Sequence, residues 1–394
     1  MAGVRVATVL VDGTTAEVRT KLVEAVRAQL GGATPTFVAV FASTSHPLDA
    51  LVSAFAEPGT IAIGASTAGE FIEHGDAKSS VSVFALAGGD AYRASAGIGV
   101  GLRDDPAGAI ARALEGQPRT MEGFPYRTAI TLLDPLAGNG EEVALMLADA
   151  LGPDQPIAGG AAGDDLKMQQ TFVACGTQSS SDAITVAQIF SKRPLGLGIE
   201  HGHRALSEPL RVTRASGGYV HEIESRPAWD VWKEKTAAAA RERGIDVSTL
   251  EPSAEGAFLL QFEAGLANGA TYKIRAPLSR TPEGSILFAA GIPEGSVLRI
   301  TESDGGSQIV SAIGAARRAR GALGDAPIAG ALVFDCICRN LILGEEFGTA
   351  VRGISEALGG VRIAGFETYG EVALSAGEMS GFHNTTSVVL AFPE

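Results

Sequence analysis

"GFETYGEV", residues 365–372, follows an apolar run and sets two glycines, a threonine, a tyrosine and a glutamate close together. The same plan occurs twice upstream, in "GASTAGEF", residues 64–71, and in "GGAAGDDL", residues 159–166. Each stretch has a glycine, a few small or polar residues, a second glycine and then a carboxylate. Taken alone, each reads as a hairpin turn, because glycine accepts the positive φ that tight turns need. Taken together, they mark the same point in three similar segments. The recurring carboxylates, Glu70, Asp164 and Glu371, are more than a hairpin requires. A strand-end turn of this kind can offer backbone N–H groups and one carboxylate to a small ligand.

The segments around these turns share one order. In the first, "VRVATVLV" reads as a strand, and Val18, Leu22, Val26 and Leu30 give the next stretch one apolar helical stripe. Gly31 and Gly32 end that helix. "TFVAVFAS" is a strand, "PLDALVSAFAE" a short helix, "TIAIGASTAGEF" a strand and turn, and "SSVSVFALAG" a closing strand. The second segment runs "YRASAGIGVGL", "DPAGAIARALEG", "RTAITLLDPL", "GEEVALMLADALG", "PIAGGAAGDDL", "QTFVACG" and "AITVAQIF" in the same order. The third is read as opening with "SVLRITESDGG". It continues through "SQIVSAIGAARRARGALG", "APIAGALVFDCICR" and "EEFGTAVRGISEALGG" to the turn and "HNTTSVVLAF". Residues 192–292 lie between the second and third segments. They read as mostly β with one helix near 227–243, docked through Trp229 and Trp232. The expected fold is α/β: three similar βαβαββ units forming mixed sheets, with a mostly β insertion before the last unit.

With 394 residues, 45% of them hydrophobic and 19% charged, the chain has material for two or three globular domains. The net charge of −14 disfavours nucleic acid and anionic membranes, and no basic stripe interrupts it. No apolar run approaches the ~20 residues of a membrane span, and the N-terminus lacks the pattern of a signal peptide. Three cysteines, 175, 336 and 338, fit a reducing compartment, so a cytoplasmic location is expected. "GIGVGL", residues 97–102, lacks the spacing of a dinucleotide-binding loop. No nucleophile elbow or phosphate-binding loop is present, so an enzyme is not expected.

Several strings carry a resemblance. "GGYVHEIESRPAWDVWKE", "CICR", "GFETYGEV" and "FHNTT" resemble, in order, the motifs of the C-terminal part of the FIST family. "IGASTAGEF" and "PIAGGAAGDD" resemble its N-terminal part. On this likeness residues 1–192 form the N-terminal domain, with two repeats. Residues 193–394 form the C-terminal domain, with a β-rich segment at about 193–292 and then the third repeat. The resemblance implies a sensor of a small, amino-acid-like metabolite. It also implies a signalling partner such as a histidine kinase or chemoreceptor, expected as a separate protein because the chain ends at Glu394. It brings the alternative of a haem-binding nitric-oxide sensor, with His201, His203, His221 or His383 as axial ligand.

The candidate ligand residues follow from their chemistry. Arg339 is placed on a strand with Cys336 and Cys338 on the opposite face. It either holds a ligand carboxylate or pairs with Glu371 or another acid. Glu371 and Glu70 either receive an ammonium group or cap their own turns. Thr368 and Ser66 add hydroxyls, and Gly370 shapes the last turn. Asn384 and Thr385 either face the same pocket or form an Asx-type turn. A cation, an anion and neutral groups together would suit an amino acid. A second alternative is a cysteine enzyme that pairs Cys336 or Cys338 with His383. Two alternating histidines, His201 and His203, are too few for a zinc site.

Overall fold

The computed structural model describes residues 3–138, 140–269, 271–375 and 381–394. In the first unit the strand Arg5–Val11 leads through the helix Thr15–Gln29 to Phe37–Ala42, and the helix Leu48–Val52 leads to Ile61–Ser66. After the turn come a small hairpin, Glu70–Ile72 with Gly75–Ala77, and a closing strand, Val81–Ala87. The second unit repeats this with Tyr92–Val100, Pro106–Leu114, Tyr126–Leu133, Gly140–Leu151, Ile157–Ala161, the hairpin Val173–Cys175 with Gln178–Ser180, and Ala183–Ser191. The third unit ends with Ile328–Cys336, the helix Phe347–Ala357, Arg362–Thr368, the hairpin Glu371–Leu374 with Phe382–His383, and Thr386–Pro393.

Each unit builds one six-stranded mixed sheet in the order opening, closing, second, third. The second and third strands are parallel because a helix joins them; Phe37 faces Ile61, Ala129 faces Ile157 and Gly330 faces Arg362. The last two places in each sheet belong to another unit's hairpin. Unit one lends its hairpin to unit three, where Phe71 pairs Gly365. Unit two lends to unit one, where Ala174 pairs Gly64, and unit three lends to unit two, where Val372 pairs Gly159. The exchange closes into a ring.

Backbone bonds join the three turns at this crossing. Glu367 N donates to Gly69 O (2.8 Å), Ala161 N to Gly370 O (2.7 Å) and Gly163 N to Ser66 O (2.8 Å). The inner faces of the three sheets share one core, in which the Phe41 and Phe366 rings stack 4.5 Å apart. Each outer face is covered by that unit's own helices. Burial on both faces explains why the strands read as continuous apolar runs.

The opening of the third unit differs from the sequence reading. Val297–Glu302 belongs to a separate nine-stranded sheet, where it pairs with Phe262–Asn268. The unit opens with Gly196–His201, which runs antiparallel to Thr386–Pro393 with Leu197 facing Leu390. The insertion therefore lies inside the third unit, between its opening strand and the helix Gly305–Leu323. Packing explains the choice. A Cβ at Gly99 would lie 1.8 Å from Ala109 O, and one at Gly198 would lie 1.9 Å from Ala315 O. Both opening strands press a G-x-G stretch onto a helix backbone, and 297–302 has no such stretch. In the insertion, Ala228–Glu242 is a helix anchored as expected, with Trp229 edge-on to Phe258 and Trp232 to Phe288.

Candidate functional site

The turn carboxylates point inward. Both oxygens of Glu70 are bonded, one to Thr67 Oγ1, the other to Ser80 N (3.1 Å) and Ser80 Oγ (2.6 Å). Burial still pushes its pKa up to about 7. Glu371 accepts from Thr368 Oγ1 and from Thr386 N (3.2 Å), and burial holds its carboxyl well above the usual range. Asp164 accepts from the N–H groups of Met168, Gln169 and Gln170 at 2.6–3.0 Å and from the Tyr369 hydroxyl at 2.7 Å. These bonds tie down a loop in which Asp165, Leu166 and Met168 have φ between 53° and 63°, values costly for residues other than glycine.

Arg339 does not sit on a strand. The strand ends at Cys336, and Ile337–Leu343 is a helix, so Cys338 and Arg339 lie in its first turn. The guanidinium is fully buried. Its Nε meets Asp335 at 2.8 Å, and its other nitrogens meet Gln308 Oε1, Ser311 Oγ (2.9 Å) and Gln308 O (2.8 Å). Its ion-pair partner is Asp335 rather than Glu371. Gly370 has φ of 142°, and a Cβ there would meet the Phe382 ring at 2.4 Å. Thr385, at φ 47°, donates to Glu263 across to the insertion at 2.8 Å. Ser66 bonds Phe172 N and lines a different cavity, with Thr44, Ser45 and Phe172, while neither Glu70 nor Glu371 lines that cavity.

The largest cavity described, about 940 Å³, lies between the insertion and the three-unit body. Cys336 and Asn384 line it, whereas Arg339, Thr368, Gly370, Glu371 and Thr385 do not. The sequence reading missed most of its lining. Leu260, Pro277 and Ile337 form apolar walls, and Leu166, Met168, Leu278 and Leu341 sit at its mouth, each more than 40% exposed. Exposed apolar residues grouped at one rim are a recognition signal. A polar cluster also faces the cavity: Arg243 bonds Gln261 Oε1 (3.1 Å) and Ser303 O (2.9 Å), with Asp304 next in the chain. Asn384 Oδ1 accepts from Ala276 N of the insertion at 3.4 Å.

The four histidines considered for haem lie elsewhere. His201 bonds Thr271, His221 lies between Ser216 and Ser285, and His383 bonds Ala373 O. His203 is buried beside Glu263, 3.5 Å away. None of the four lines this cavity, so a histidine-ligated haem does not fit it. The cysteine–histidine pairing also lacks the required electrostatics. Burial pushes the Cys336 thiol well up and His383 down to about 3, the reverse of a thiolate–imidazolium pair. Among the described residues, no group of three or more His, Cys, Asp or Glu is placed to hold a metal. No described helix is long and apolar enough to cross a membrane.

No curated protein matches the chain. Among solved structures, a cyanuric acid hydrolase from A. caulinodans matches with 11% identity and a TM-score of 0.27, over 48% of this chain and 72% of that one. That likeness is too low to carry an argument. The FIST N domain model matches residues 36–226 and the FIST C domain model residues 229–374. The chain belongs to the FIST family, whose domains are associated with small-ligand sensing in signal transduction.

Proposed function

We propose that the cavity between the insertion and the three-unit body is the sensing site, and that it takes a metabolite with an amino-acid-like head and a sizeable apolar body. One observation carries this reading: a cavity of about 940 Å³ has mainly apolar walls and a hydrogen-bonded polar cluster in which Arg243, paired with Glu302 at 2.7 Å, lies near Asp304. Ligand pockets of roughly 300–1,000 Å³ commonly have this composition. The polar cluster supports a zwitterionic or carboxylate head, and the leucines and Ile337 support the apolar body. Because the insertion and the body each supply wall residues, a ligand that prefers one arrangement of the two shifts their balance. That shift would be read by a separate signalling protein, such as a histidine kinase or chemoreceptor, in the cytoplasm.

A thermal-shift screen against amino acids and their apolar derivatives tests the reading. A ligand at about a hundred times its Kd should add roughly 2.7 kcal/mol. Gly256→Trp provides the site control. Gly256 lines the cavity, and a Cβ there meets nothing within 4 Å. The variant should keep its melting temperature and lose the ligand shift. A shift that survives in Gly256→Trp would place the ligand elsewhere.

A further inference from the structure

Two thiols share the wall of this cavity. Cys336 ends the strand and Cys338 lies in the first turn of the next helix; they are 2% and 9% exposed, and both line the cavity. The two residues are two positions apart in the chain and belong to one buried cluster. Ala68, Ala276 and Ile337 pack in the same cluster as the pair. We propose that Cys336 and Cys338 form a two-thiol binding site for a neutral trivalent arsenical carrying one apolar substituent, held with that substituent in the cavity.

The chemistry selects this class. An arsenical R–As=O reacts with two R′–SH groups to give R–As(SR′)₂ and water. Two As–S bonds form and the As=O bond breaks. Both thiol protons leave with the oxygen, and neither arsenic nor sulfur changes oxidation state. Reactants and product are neutral, which suits a buried apolar wall where charge is costly. A copper(I) bis-thiolate would instead place a negative charge in this buried wall. Disulfide formation would need a two-electron oxidant, whereas the arsenical condensation needs none. The third thiol, Cys175, lies in the hairpin strand Val173–Cys175, away from this cavity, and serves as an internal control.

The test uses the native chain and phenylarsine oxide. Intact-mass analysis should show one phenylarsenic unit per chain with loss of one water. The titre of free thiols should fall from the sequence's 3 by two. A dithiol such as 2,3-dimercaptopropanol should reverse the adduct, and a monothiol at equal concentration should not. Cys336→Ser and Cys338→Ser should each abolish it, and Cys175→Ser should leave it intact. A native chain whose full thiol titre survives the reagent would overturn the proposal without any variant. So would an equal adduct on Cys336→Ser. The site shares a cavity with the proposed sensing site but has its own readout. A metabolite shift in a chain that takes no arsenical removes only the thiol site, and an adduct with a flat metabolite screen removes only the sensing reading.

Discussion

Replacing Arg339 by methionine separates a structural role from a ligand role. The guanidinium and the Asp335 carboxylate are 0% and 3% exposed and 2.8 Å apart, so solvent does little to screen the loss of one partner. Arg339→Met leaves Asp335 as a buried charge and strips Gln308 and Ser311 of a donor. Breaking a buried pair in this way costs about 3–5 kcal/mol, at least a hundredfold in the folding equilibrium. Urea unfolding followed by far-UV circular dichroism should show that loss. Tryptophan fluorescence, from Trp229 and Trp232 in the insertion, shows whether that part unfolds with the rest. Adding Asp335→Asn removes the stranded charge and should recover part of the stability. Under native conditions the single variant should still show the metabolite shift, because Arg339 does not line the cavity. A variant within 1 kcal/mol of the parent that loses the ligand shift would refute this reasoning and return Arg339 to the site.

Two further substitutions test the fold and its electrostatics. Gly198→Ala sets a Cβ against Ala315 O and should cost roughly 1–3 kcal/mol or more, since backbone lies on both sides. Gly321→Ala, on the same helix with open space at its Cβ, should instead gain up to about 1 kcal/mol; equal chemical-denaturation midpoints for the two would contradict the packing argument. Glu70 has a folded pKa of about 7 against an ordinary 4.5, so the folded state holds a proton that the unfolded chain releases. Its contribution is fully present below pH 4.5 and is lost as pH rises through about 7, on the order of 3 kcal/mol. Glu70→Gln should therefore gain stability relative to the parent between pH 5 and pH 8, and parallel stability–pH curves would show that the carboxyl is not held protonated.

The sequence alone settled the local order. Helical stripes such as Val18, Leu22 and Val26, the β-branched runs and the three glycine–carboxylate turns made the three units and their α/β class legible, because these signals depend on neighbours in the chain. The docking of Trp229 and Trp232 was legible for the same reason. What the tertiary structure decided depends on distant partners. The exchange of hairpins was invisible, since Glu70–Ile72 and Glu371–Leu374 read as hairpins whichever sheet receives them. The opening strand of the third unit was missed because 196–201 and 297–302 are both acceptable strands; the G-x-G stretch shared by residues 97–99 and 196–198 was the signal that could have separated them.

For the site, Cys336 and Asn384 were singled out by residue type, but Leu260, Leu278 and Arg243 carry no motif and meet the body only after the insertion folds back. Arg339 shows the limit most clearly. Its chemistry suits a ligand carboxylate or a buried acid equally well. Only the helix that begins after Cys336, one turn from Asp335, places the guanidinium within 2.8 Å of that acid. Burial then makes the pair costly to break.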